Sequence, residues 1–200
     1  MTENYNQKTS SAMTYPKKGT LNRLLFKSPL LWWRMGLGKI LSHNALSGNK
    51  MLVLTSWGRK SHKPRHTMLS YALVGGREFV SSGWGGRTDW YKNIVADPHV
   101  TVQVGGRVYS ARARRVQDVG ELTKIAQEMF STGGDTHFVS WLDSFGIEHD
   151  LQDVIDKRDR LVLVAFDESE ETGPPPMPVD LKWVWGVILL VLMCICLWLR

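Results

Sequence analysis

Two Gly-Gly pairs constrain this chain more than any other feature. Gly75-Gly76 joins the runs MLSYALV and REFV, and Gly105-Gly106 joins HVTVQV and RVYSARARRV. A two-residue glycine turn between such runs reads as a tight antiparallel hairpin, because the favoured turns need positive φ, which glycine adopts without steric cost. With the apolar runs at 51–56 and 160–166, six strands are expected, at 51–56, 66–74, 77–82, 99–104, 107–116 and 160–166. Helices are expected at 88–96, stopped by Asp97-Pro98, and at 118–130, opened by an acidic N-cap, with shorter helical pieces at 137–147 and 151–157. This pattern predicts a mainly β, α+β fold: a small six-stranded split β-barrel with flanking helices rather than a doubly wound sheet. No GxGxxG follows the first strand and no Walker sequence is present, which excludes the Rossmann and P-loop classes.

The ends of the chain differ from this unit. Residues 1–50 comprise a polar tail, with no apolar h-region in 1–20 to make a signal peptide, and the segment LLFKSPLLWWRMGLGKIL at 24–41. Ser28-Pro29 is a good helix start there. Trp32, Trp33 and Met35 beside Arg34 and Lys39 fit either an interfacial basic amphipathic helix or a helix packed on the domain. Residues 51–167 form the barrel domain. Residues 168–181 read as an acidic, proline-rich linker that stands off without structure of its own. From 183 to 199 run seventeen uncharged, almost wholly apolar residues with Trp183, Trp185 and Trp198 near the two ends. As a helix these reach about 26 Å, near the lower limit for a bilayer. A single C-terminal transmembrane helix over 182–200, a tail anchor, is therefore expected, with a membrane location and the catalytic domain on the cytoplasmic side.

Net charge is +6, but its distribution is uneven. Residues 51–115 carry eleven Lys/Arg against three Asp/Glu, and residues 116–180 carry four against fifteen. The basic half calls for an anionic partner: phosphate, lipid or nucleic acid. Nucleic acid is set aside, because no recognition-helix or base-stacking pattern accompanies the charge. The two cysteines, Cys194 and Cys196, lie in the apolar tail, and the scattered histidines give no ligand spacing, so no metal site is expected.

Two loops carry the chemistry. In WGRKSHKPR at 57–65, four cations and a serine share one loop with no acid among them, a composition suited to a phosphate cradle. In SSGWGGRTDWYKN at 81–93, a strand ends in a glycine-rich turn that runs into a helix, where backbone can approach a planar ligand and the helix N-terminus favours negative charge.

Taken together, LVLTSWGRKSHKPR at 52–65, SSGWGGRTDWYKN at 81–93 and DPHVTVQVGGRVYSARARRV at 97–116 resemble the deazaflavin-dependent nitroreductase family, deazaflavin-dependent oxidoreductases of the split β-barrel flavin-binding superfamily. The resemblance covers roughly residues 20–167. It implies that Arg59, Lys60, Ser61 and Arg65 hold the phosphate of an 8-hydroxy-5-deazaflavin coenzyme (coenzyme F-420). It also implies that Gly83, Trp84, Gly85, Gly86 and Arg87 lie against the ring, with Trp90 beside it and Asn93 in support. The implied activity is hydride transfer to a lipophilic acceptor such as a quinone, an activated alkene or a nitro compound, with the membrane as partner and a homodimer as an option. Tyr71, Ser81 and Ser82 are the candidate proton donors, since they lie on strands leading toward the proposed pocket. His62 stands where the family usually has glycine, and the glycine-rich stretch is shorter than in the nitroreductase type. FMN is the alternative cofactor, and a non-catalytic flavin, haem or lipid carrier is the alternative function on the same barrel.

Overall fold

The computed structural model describes residues 28–42, 50–131 and 136–199. The expected polar tail at 1–20 lies outside them. Six strands, β1 (Met51–Trp57), β2 (Pro64–Val74), β3 (Arg77–Ser81), β4 (His99–Val104), β5 (Arg107–Arg115) and β6 (Leu163–Glu168), close in the order β1-β2-β3-β6-β5-β4, with every pairing antiparallel. Gly75 and Gly76 both take positive φ, 55° and 79°, and Gly105 takes 59°, so the two hairpin turns form as their glycines require. The hairpin turns share one end of the barrel. The loops 58–63 and 82–88 share the other.

Strand alternation sorts the side chains into distinct packing layers. Leu52, Leu54, Val80, Val100, Val102, Ala111 and Val164 form the barrel interior. On the outside of β3 and β6, Phe79, Leu163 and Ala165 pack against three helices. These are α4 (Val119–Ser131), α5 (Thr136–Ser144) and α6 (Leu151–Asp156). Helix α4 presents Leu122, Ile125, Ala126 and Met129, the spacing of one helical face, and Asp118 caps it by accepting from the Glu121 N–H at 2.7 Å. On the outside of β1, Val53 packs with Trp33, Leu41 and Met177.

The N-terminal helical segment is docked on the barrel. It comprises α1 (Ser28–Trp32), a π-turn (Trp33–Leu37) and α2 (Gly38–Ser42). The break falls at Gly36, with φ of 94°. Trp33 turns inward, 4 % exposed, and a Cβ on Gly38 would sit 2.8 Å from its ring. Helix α3 (Asp89–Ala96) closes the loop end of the barrel with Trp90 and Ile94.

Three sequence expectations are corrected. The last strand begins at Leu163, three residues later than expected. Arg158–Arg160 is instead a 3-10 turn, and Arg115 fastens the following carbonyl, Leu161 O, through Nη2 at 2.6 Å and Nε at 3.1 Å. The ladder then continues through Asp167 and Glu168, whose carboxylates pair with Arg77, Arg114 and Arg107.

The acidic, proline-rich stretch is extended, as expected, yet it does not stand off. It runs as a strap along β4. The Gly173 N–H donates to Ser110 Oγ at 3.2 Å, Thr101 Oγ1 donates to Pro174 O at 2.5 Å, and Gln103 and Met177 exchange two bonds of 2.7 and 3.1 Å.

The expected membrane span is not found: among the described residues no helix is long and apolar enough to cross a membrane. The C-terminal helix α7 (Trp183–Trp198) has sixteen residues, about 24 Å at 1.5 Å per residue, against a hydrocarbon core of about 30 Å. Its foot is tied to the π-turn: Leu181 N–H donates to Arg34 O at 3.1 Å, and Trp185 Nε1 donates to Met35 O at 2.9 Å. Arg34 also forms a two-point pair with Asp180, which holds that carboxyl below the usual carboxylate range.

His66 sits at the start of β2 with Nδ1 3.0 Å from Thr55 Oγ1, and burial, helped by the charge of Arg34, lowers its pKa below 6.5. The unfolded chain therefore binds more protons than the fold just below pH 6.5, so stability falls on acidification through that value. His66→Gln is expected to remove this component from a pH series of denaturant midpoints, leaving a flatter profile between neutrality and mildly acidic pH.

Candidate functional site

The loop between β1 and β2 is built around Gly58. Its N–H donates to Lys63 O at 2.9 Å, and its carbonyl accepts from Ser61 and His62 N–H at 3.0 and 2.8 Å, so the chain coils tightly on itself. A Cβ at Gly58 would lie 2.5 Å from Ser61 Oγ and 3.2 Å from Arg65 Cγ. Glycine is thus required for the loop to close over the pair Arg65 Nη2 to Ser61 Oγ, at 3.0 Å. Lys60 and Lys63 are exposed on this loop, and Arg65 is exposed at the start of β2 beside it. Three cations on and beside a compact turn, with no carboxylate within it, form a candidate anion site.

His62 has φ of 48°, the single positive-φ non-glycine residue among those described. This explains physically why a glycine is expected there: a Cβ in the left-handed region costs roughly 1–2 kcal/mol. His62→Gly exchanges that strain for extra unfolded-state entropy, and a net gain of about 0.5–1 kcal/mol is expected in denaturant unfolding.

Arg59 is used differently from its neighbours. Its Nη2 pairs with Asp89 at 3.1 Å, its Nη1 donates to Asn93 Oδ1 at 3.0 Å, and its backbone N–H reaches the same oxygen at 3.3 Å. It clamps the loop onto α3. Asn93 is buried and serves as the other jaw of that clamp.

The second loop lies at the same end. Ser82 is buried, and its Oγ donates to Gly85 O at 2.7 Å and lies 3.2 Å from Thr88 Oγ1. Its carbonyl accepts from Trp141 Nε1 at 3.2 Å. Gly85 takes φ of 56° within the short 3-10 turn Gly85–Arg87, and Gly86 and Arg87 are exposed beside it. Gly83 and Trp84 are half-buried. Trp90 is 7 % exposed and edge-on to Tyr91 at 5.9 Å, so it plugs the barrel end as a core residue.

A cavity of about 500 Å³ opens here, lined by Trp57, Gly58, Arg59, His62, Ala96 and Asp97. That volume lies in the range of small-molecule cofactor sites. Sequence reasoning missed Trp57, Ala96 and Asp97 as lining residues and Asp89 as the partner of Arg59. Their only signal was position, at the ends of β1 and of the helix that the Asp-Pro pair stops.

None of the candidate proton donors lines the 500 Å³ cavity, although Tyr71 and Ser81 both border a narrow cleft elsewhere. Tyr71 points into the barrel toward the hairpin end, where its hydroxyl donates to Ser42 O at 3.2 Å; burial and the Glu78 carboxylate raise its pKa. Ser81 lines a narrow cleft under α4 and α5, with Phe79, Met129 and Phe138. Ser82 belongs to the glycine turn.

A closed barrel with a cationic glycine loop and a glycine-rich turn at one end is a candidate cofactor-binding barrel. Comparison with known proteins narrows the class. Residues 37–135 match the profile of the F420H(2)-dependent quinone reductase family. The chain is 30 % identical over 95 residues to an F420H(2)-dependent quinone reductase of Mycobacterium tuberculosis and to a putative one of Mycobacterium bovis. These alignments cover 44 % of this chain and 64 % of each relative. Among solved structures, an F420-H2 dependent reductase, FDR-A, aligns with a TM-score of 0.42 at 21 % identity, covering 60 % of this chain and 93 % of that one. The haem storage protein HutZ of Vibrio cholerae aligns at 0.40 and 13 %, covering 76 % and 96 %. The resemblance to deazaflavin-dependent oxidoreductases read from the loop motifs is borne out.

Proposed function

We propose that this chain is a deazaflavin-dependent reductase that passes a hydride from reduced coenzyme F-420 to a quinone. The observation that carries this reading is the Gly58-centred cationic loop beside the 500 Å³ cavity. The names of its relatives support the cofactor and the quinone acceptor. The residues present suit such a coenzyme: the cradle closes only around a glycine, and its cations face outward without acidic neighbours in the loop.

When bound, the coenzyme supplies the hydride; the protein supplies binding, orientation and electrostatics. Lys60, Ser61 and Arg65 would hold its phosphate through charge-assisted hydrogen bonds. Lys63 and Arg87 extend the positive field toward an acidic coenzyme tail. Arg59, held by Asp89 and Asn93, fixes the distance between the cradle and α3. Ser82 sets the glycine turn, whose Gly83, Trp84, Gly85 and Gly86 would lie against the ring from beside the cavity, since none of the four lines it. The proton that completes quinone reduction comes from solvent at the open cavity. Tyr71→Phe is accordingly expected to leave kcat within about twofold while lowering stability by about 1 kcal/mol, the worth of one hydrogen bond. A large fall in kcat with KM unchanged would instead make Tyr71 the donor.

The function is tested by anaerobic mixing of reduced coenzyme with a menaquinone analogue and catalytic amounts of the protein. Many turnovers per protein molecule are expected. Oxidation that stops at one equivalent, or none at all, would point to the carrier function.

A further inference from the structure

A second basic site lies at the opposite end of the barrel. A groove of about 240 Å³ runs between the π-turn, the β4–β5 hairpin and the foot of α7. Lys39, Arg107 and Lys182 line it, with the backbone of Gly105 and Gly106, and none of its lining residues is acidic. Arg107 is partly neutralised from outside the groove by Glu168 at 2.7 Å and Glu78 at 3.6 Å.

The position of Lys182 is built into the fold. Its stem crosses Gly36, with Cε and Cγ 3.5 and 3.6 Å from where a Cβ would stand, at a residue whose φ of 94° already favours glycine. The stem of Lys39 lies 3.3 Å from the corresponding point on Gly106. The bonds from Leu181 and Trp185 to the π-turn fix the segment that carries Lys182.

Directly above the groove begins α7, apolar on every face and with no buried residue; Leu189 is 67 % exposed. Trp183 stands at its foot, and Trp32 and Ile40 are exposed on the neighbouring helices. Cations at the base of a naked apolar helix, with tryptophan at the junction, match an amphiphile whose head is anionic and whose tail is hydrocarbon.

We propose that this groove binds the phosphate headgroup of an anionic phospholipid whose acyl chains lie along α7. The site does not require α7 to cross a bilayer. It is independent of the proposed reductase activity, because the groove shares no residue with the Gly58 cavity.

The test uses the full chain in co-sedimentation with vesicles of phosphatidylcholine alone and with phosphatidylglycerol added. Binding is expected to depend on phosphatidylglycerol. Lys39→Glu with Lys182→Glu is expected to weaken it by about tenfold or more, with coenzyme binding and circular dichroism unchanged. Should that double reversal fail to fold, Lys39→Gln with Lys182→Gln is expected to weaken binding in the same direction. Equal binding to both vesicle types, or no effect of the folded variant, overturns the proposal. Displacement from vesicles by low concentrations of inorganic phosphate would assign the groove to free phosphate and overturn the lipid assignment.

Discussion

Replacing Lys60 and Arg65 together by alanine is expected to weaken deazaflavin coenzyme binding by at least about tenfold. Each side chain would contribute a charge-assisted hydrogen bond to phosphate, worth about 1.5–3 kcal/mol in a favourable setting. Both are exposed, so solvent screening reduces the sum, and tenfold is the conservative figure. Fold stability is expected to hold, because the described hydrogen-bond partner of the Arg65 side chain is Ser61 in the adjoining loop. Fluorescence titration of wild type and variant, with thermal melts of both, checks the two halves of this expectation. Unchanged affinity would remove the cradle from the coenzyme site. Gly58→Ala probes the same loop through shape: its methyl group displaces Ser61 Oγ and loosens Arg65 without removing either charge.

The second large effect is expected at Gly173, far from that loop. A Cβ there would lie 2.5 Å from Val100 O and 2.8 Å from its carbonyl carbon. This backbone belongs to β4, which is paired on both sides, so the strand cannot yield. In Gly173→Ala the strap must lift instead. It would break the bonds at Ser110 and Pro174 and leave the buried Thr101 hydroxyl seeking water. Overpacking and lost hydrogen bonds of this kind amount to about 2–4 kcal/mol. For a chain of this size that is a drop of roughly 4–16 °C in Tm. An unchanged Tm would mean that the strap contributes nothing to the folded barrel.

The barrel was legible because its strands carry two signals at once, alternation and glycine turns. In β4, Val100, Val102 and Val104 announce an inward face, and Gly105 announces the end of the strand. The same alternation misleads on the other face. Thr101 and Gln103 are polar, as on a solvated surface, yet both are buried, because the strap covers them and satisfies their hydrogen bonds. Nothing local in the strap's composition says where it lies. Its contacts span more than seventy residues of sequence.

The site shows the same division. That the cradle residues share a loop was readable, because they are adjacent in sequence. That Arg59 clamps α3 was not, because its partners Asp89 and Asn93 are brought in only by barrel closure. Tyr71 and Ser81 sit on the strands β2 and β3, yet both border the narrow cleft with Phe79, Met129 and Phe138 and neither reaches the 500 Å³ cavity. The apolar C-terminal run was legible as a helix. Its docking through Trp185 and Asp180 onto the π-turn was not.

The central claim is that the loop end of this barrel holds a deazaflavin coenzyme. Its most direct test is equilibrium titration of the full chain with coenzyme F-420, followed by fluorescence, with FMN and haem titrated in parallel. The account predicts saturable binding of the deazaflavin, stronger than that of FMN or haem and weakened in the Lys60→Ala, Arg65→Ala variant. Tighter binding of FMN or haem, or deazaflavin binding indifferent to those two cations, would contradict it.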